Sequence, residues 1–519
     1  MNDLVCDLNH LPFVVETDQE ALLAQLLLGT MTARQRVQQS VVRHTTHSET
    51  GYITLPDAWM RHFFTTDVSL TNRAVIELQW RACWIGLALI LQTINELPHY
   101  LYFPFLQSFA SLIPLVLFIG SFVAMWLAFR PAPYVQSWPK PAQRWQRVLL
   151  LLTLSITLVG GFELGRTVVM CFLPPQFAND GTSLDTNAAA LLLQGRNPYT
   201  DSNMLDVARR FSIQPNWTTP LRRGQFAHLI DYPTPSDFQT VLDTDLKSTS
   251  NDAPEFESKV SYPALSFLTL VPFVLLKDYN VLPFYFLSYL LLVWIAWKAA
   301  RPELRPWILL LSMANVPMWA STSGANLDIF CTLLIVLAWL QQDHRWRSAI
   351  FLGLAIASKQ IAWFLIPFYI IMIWQRYSLK EVLYRLVVAG GIGLAINLPF
   401  ILWDGHAWLS GILAPIADPM FPLGIGLVNL SVTHLLPFFP NWVYFSLEGC
   451  TMLLALFWYW RLCLGHPEAA MLLAVVPLFF AWRSLPSYFY CAAYPLFILM
   501  ATKLTPSGSH HITMWQSVT

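Results

Sequence analysis

Apolar runs recur along this 519-residue chain at lengths that match a bilayer, and no other feature narrows its fold so far. A hydrocarbon core of about 30 Å takes roughly 20 helical residues, and backbone inside it must satisfy its own hydrogen bonds. Such runs lie at 82–97, 104–129, Val148–Phe172, 281–298, 306–319, 327–342, 348–358, 361–374, 386–402, 441–460, 468–482 and 486–502. The expected fold is all-α, a polytopic transmembrane helical bundle of about 11 to 13 spans. Composition agrees: 55% of residues are hydrophobic and 12% charged, against roughly 25% charged in soluble domains. The shortest runs cannot cross the bilayer alone, which predicts shielding by neighbours around a polar cavity.

Charge excludes one class of partner. Lys plus Arg equals Asp plus Glu at 31 each, with no basic tail, so no field invites nucleic acid. The seven cysteines are scattered without a Cys-x-x-Cys pair, which points to small core residues and to neither disulfides nor zinc. The first thirty residues lack a basic segment ahead of an apolar one, so no cleavable signal peptide is expected. Residues 1–80 form an expected cytoplasmic extension with an amphipathic helix over Asp18–Val42. Two spans and a basic loop fill 81–147, a catalytic membrane domain 148–505, and a cytoplasmic tail 506–519.

Leu173–Val260 is the longest hydrophilic stretch between runs, with eleven acidic and seven basic side chains. That length exceeds a connector and marks a large outer loop. Basic residues fix the sidedness: Lys298, Arg301 and Arg305, Arg345 and Arg347, Arg376, Lys380 and Arg385, and Arg461 all face the cytoplasm if Tyr262–Leu276 is interfacial and does not cross. The opposite face then presents Asp180, Asp185, the loop 321–328, Lys359 with Gln360, the loop from Trp403 to Asn441, and Arg483. Lys359 and Arg483 break the charge rule there. Single cations of this kind commonly snorkel to headgroups, but two beside a carboxylate favour binding of a phosphate. Within Val148–Phe172, Glu163 and Arg166 are three apart and are expected to pair.

The segment Asn179–Thr200 holds the clearest motif. Leu192-Leu193-Gln194-Gly195-Arg196-Asn197-Pro198-Tyr199 follows an Ala/Leu helix that Gly195 should end. It resembles the first-loop signature of the GT-C class of integral membrane glycosyltransferases, most closely the polyprenyl-phosphate-sugar-dependent branch that includes bacterial alpha-mannosyltransferases. Ser261-Tyr262-Pro263, Gly324-Ala325-Asn326 with Asp328, Lys359 to Pro367, and Arg483-Ser484 with Tyr488 are similar to later elements of that class. The class's Tyr shortly after its Asp is replaced here by Leu184 and Ala189.

The resemblance implies inverting transfer of a hexose, such as mannose, from a polyprenyl-phosphate donor to a glycan, lipid or protein acceptor on the outer face of the cytoplasmic membrane. Asp180 or Asp185 would be the general base, with helix capping as the alternative role. Lys359 and Arg483 would hold the donor phosphate. Asn197, Tyr199, Tyr262, Asn326, Asp328, Gln360 and Tyr488 would contact substrate, while Asn326 and Asp328 are also candidates for a divalent ion or for capping a helix. No cofactor is called for, the need for a metal stays open, and Asp404, His406, Asp418 and His434 are too dispersed for a metal site. The rival functions are a lipid-linked glycan flippase or polymerase and a noncatalytic membrane transporter.

Overall fold

The computed structural model describes residues 73–101, 112–130, 140–175, 177, 179–211, 213, 217–248 and 253–502. It is mostly helical, at 74% in about 20 helices. The amphipathic helix expected over Asp18–Val42 and the tail 506–519 lie outside the described residues.

Among the described residues, three helices are long and apolar enough to cross a membrane: Arg147–Met170, Leu282–Ala299 and Leu379–Ala417. Shorter apolar helices include Ile113–Leu127, Asp328–Leu340 and Ser487–Thr502. The long helices leave large apolar side chains uncovered, among them Leu158 and Phe162 on the first and Val387 and Leu402 on the third. Such faces are costly in water and cost nothing in hydrocarbon. A single large core binds the bundle, running from Leu78 through Trp319 and Trp339 to Tyr494. Glu163 and Arg166 pair at 3.2 Å as their spacing predicts.

Several boundaries differ from the expected ones. The helix expected from Val148 begins at Lys140, because Pro141 is tolerated in a first turn. A helix already runs from Arg73, within the expected extension. The expected span 386–402 and the loop from Trp403 are one 39-residue helix, Leu379–Ala417, bent at Asp404 (φ −157°, ψ 95°). Asp404 interrupts the helix and restarts it: its carboxylate accepts the Ala407 N–H at 2.9 Å, as an N-cap does. The expected span 468–482 is instead a chain of short turns, Pro467–Ala469, Ala470–Leu473 and Pro477–Phe480, with Pro477 opening the last. Tyr262–Leu276 holds only the short helices Leu265–Leu268 and Val271–Leu275, too short to cross.

The hydrophilic segment folds on a core of its own. Leu184, Ala188, Tyr199, Phe226, Phe238 and Phe256 pack with Phe267, Phe400 and Ile412. Helix Asp180–Leu193 lies along it, capped by Asn179, whose side chain accepts the Thr182 N–H at 2.8 Å. Gly195, at φ +73°, closes that helix: the Arg196 N–H returns to Leu191 O at 3.0 Å. This is the six-to-one closure that a left-handed glycine permits.

Candidate active site

A cavity of about 570 Å³ lies where the hydrophilic segment meets the helix ends. Asp180, Thr219, Glu257, Lys359, Gln360 and Arg483 supply polar lining, and Tyr262 and Tyr488 add phenols. The remaining wall is apolar, with Phe364, Ile412, Met452, Leu478 and Leu485 among its members. Trp363, Leu413, Ile416 and Phe445 belong to that wall and are also exposed, so the apolar side of the cavity runs out to the surface of the bundle.

Asp180 is the first residue of helix Asp180–Leu193 and opens into the cavity. Its Oδ1 accepts the Gly181 N–H at 2.8 Å. Burial raises its pKa above the ordinary carboxylate range, opposed by hydrogen bonding from Thr219 and by the Arg483 charge. Asp185 lies further along the same helix but does not line the cavity. It is buried and accepts the Ser266 hydroxyl at 3.0 Å, while its Oδ2 has no hydrogen-bond partner among the described residues. Burial pushes it up to about 8, against the hydrogen bond from Ser266 and the charge of Lys359. Neither aspartate caps the helix, because that role falls to Asn179.

Arg483 is placed by a two-residue parallel ladder in which Leu423 pairs with Arg483 and Gly424 with Ser484. Gly424, at φ +147°, is needed there, since a Cβ would meet the Ser484 backbone. The buried Arg483 Nη1 has no hydrogen-bond partner among the described residues. Lys359 follows helix Arg345–Ser358 in extended conformation. Its Nζ lies 2.7 Å from Asp328 Oδ1, with both side chains buried, and 5.0 Å from the centre of the Tyr262 ring. The cation and the carboxylate assigned separate roles from sequence thus neutralise each other.

Of the residues singled out from sequence, Asp180, Lys359, Arg483, Tyr262, Gln360 and Tyr488 line the cavity together. Gln360 Nε2 also donates to Ser261 O and, at 3.3 Å, to Ile412 O, clipping two walls together. Asn197, Tyr199, Asn326 and Asp328 do not line it. Asn197 accepts the Tyr199 N–H at 3.1 Å, and the Tyr199 hydroxyl donates to Tyr262 O at 2.9 Å. These two therefore hold Tyr262 from behind. Asn326 accepts the Asp328 N–H at 3.2 Å, while Thr182 Oγ1 donates to Ala325 O at 2.6 Å, docking that turn on the start of the aspartate helix.

Two cavity acids escaped the sequence reading. Glu257 is one of eleven acids in a hydrophilic stretch and carried no local signal. It is buried, and burial raises its pKa while the Lys259 N–H, at 2.9 Å, opposes the rise. Its neighbour Asp418 stays low despite burial, because Lys259 and Arg223 each reach it at 2.7 Å. Glu448 did carry a signal, as the single acid inside the run 441–460; an ionisable residue in such a run marks function by default.

No family model, curated protein or solved structure matches the chain. Among the described residues, no three His, Cys, Asp or Glu side chains form a metal-sized group.

Proposed function

We propose that the chain is a polytopic membrane glycosyltransferase of GT-C type that moves a hexose from a polyprenyl-phosphate donor to an acceptor on the outer face of the cytoplasmic membrane. The observation that carries it is one cavity offering a carboxylate, an unpartnered guanidinium atom and an apolar wall open at the bundle surface. Each part has a task. Asp180 accepts the proton of the acceptor hydroxyl as its oxygen attacks the anomeric carbon, and its raised pKa makes it a better base than an ordinary carboxylate. The bond from that carbon to the phosphate oxygen breaks, and polyprenyl phosphate leaves with the electron pair, inverting the centre. Arg483 stabilises the charge growing on that oxygen. Lys359, already paired with Asp328, contributes less. The exposed apolar side chains at Leu413 and Ile416 admit the prenyl chain.

Assays of purified protein with a panel of polyprenyl-phosphate sugars test this. Asp180→Asn is expected to lower transfer by roughly 10²- to 10⁴-fold, the usual contribution of a positioned base, with donor binding kept. Arg483→Gln is expected to weaken donor binding. Wild-type transfer by Asp180→Asn would falsify the proposal, and lipid movement without transfer would identify a flippase.

A further inference from the structure

Glu448 lies on helix Asn441–Leu462 and lines the cavity with Phe445 and Met452, three and four residues away on the same helical face. It makes no hydrogen bond or ion pair with any described residue. Lys359 is paired with Asp328, Glu257 and Asp418 share Lys259 and Arg223, and the Arg483 charge acts on Asp180 at longer range, without an ion pair between them. Glu448 is thus the surplus negative charge, set in the apolar part of the wall, where an unpaired carboxylate is costly. Space exists beside it, since a Cβ placed on Gly449 meets nothing within 4 Å. Trp363, Phe364, Phe445 and Trp482 line the same cavity, and aromatic faces attract cations.

We propose that Glu448 makes this apolar mouth a binding site for a lipid whose headgroup carries an ammonium. An ammonium there donates hydrogen bonds to the carboxylate and packs against the rings, while its aliphatic chain follows Met452 and the exposed Phe445 on the Glu448 helix toward the surface. In the transferase reading, on which this part alone rests, that lipid is the acceptor. Its positive charge offsets the negative charge the donor phosphate brings.

Calorimetric titration of the full-length protein with octylammonium and with octanol reads the site without any transfer step. Octylammonium should bind at least about tenfold more tightly than octanol, the effect of one charge-assisted hydrogen bond. Glu448→Gln should bind the two equally, and Glu448→Asp should recover part of the preference. Arg483→Gln should keep it, with binding of octyl phosphate lost instead. Glucosamine, an ammonium without a chain, should bind at least about tenfold more weakly than octylammonium. No preference in the wild type, a preference that survives Glu448→Gln, or glucosamine binding as well as octylammonium would each overturn the proposal. Absence of sugar transfer with the octylammonium preference intact would refute the transferase and leave the site standing.

Discussion

Single side chains set the chemistry of the cavity, and two can be tested apart from catalysis. The buried pair Lys359–Asp328 is costly to break, because either partner alone is an uncompensated charge. Lys359→Met or Asp328→Asn should each destabilise the protein by about 3–5 kcal/mol, and the double variant Lys359→Met, Asp328→Leu should recover most of the loss. Denaturant titration of the three variants checks this. Asp185 gives a pH signature. Its folded pKa of about 8 exceeds the ordinary 3.8, so the folded state binds more protons than the unfolded state between those values. Its contribution is complete below about pH 3.8, falls as pH rises and ends near pH 8. Asp185→Asn should flatten the decline of the unfolding midpoint across that window, measured by thermal scans at stepped pH. An unchanged slope would mean that Asp185 ionises normally.

Among the elements, glycine positions hold the site in place. Gly195→Ala must adopt a left-handed backbone and should cost about 1–2 kcal/mol, visible in the unfolding midpoint. Gly424→Ala should be more selective. It drives a Cβ into the Ser484 backbone, opens the short ladder and shifts Arg483, so binding of octyl phosphate should fall at least about tenfold, as in Arg483→Gln. Much of this level was legible in the sequence. Gly195 ends its helix because only a residue without a Cβ takes that conformation freely, and Tyr262–Leu276 holds two short helices, with Pro263 ahead of the first and Pro272 in the first turn of the second. The continuation past Trp403 was not legible, because Asp404-Gly405 has the composition of a break whether the chain turns away or a new helix starts at once. Nor was the pairing of Lys359 with Asp328, since contact between residues so far apart leaves no local pattern.

At the scale of the whole molecule, the uncovered apolar faces of Arg147–Met170 and Leu379–Ala417 predict that the chain stays in the membrane pellet after alkaline carbonate washing and needs detergent for release. Recovery in the wash would contradict a bilayer location. The general class was legible because apolar run length is a local property. The cavity was legible only in part: Lys359 and Arg483 stood out by charge against an apolar background and Asp180 by its place ahead of the Leu192–Tyr199 motif, whereas Glu257 was hidden among other acids and became visible once folding buried it. The cavity wall draws on both Leu379–Ala417 and Asn441–Leu462, yet these helices make no extended contact with each other. A tunnel closed all round would oblige a long-tailed cargo to thread end first, and each release would wait on the whole tail. A slot between two columns can be loaded from its flank, so turnover need not slow as the tail lengthens.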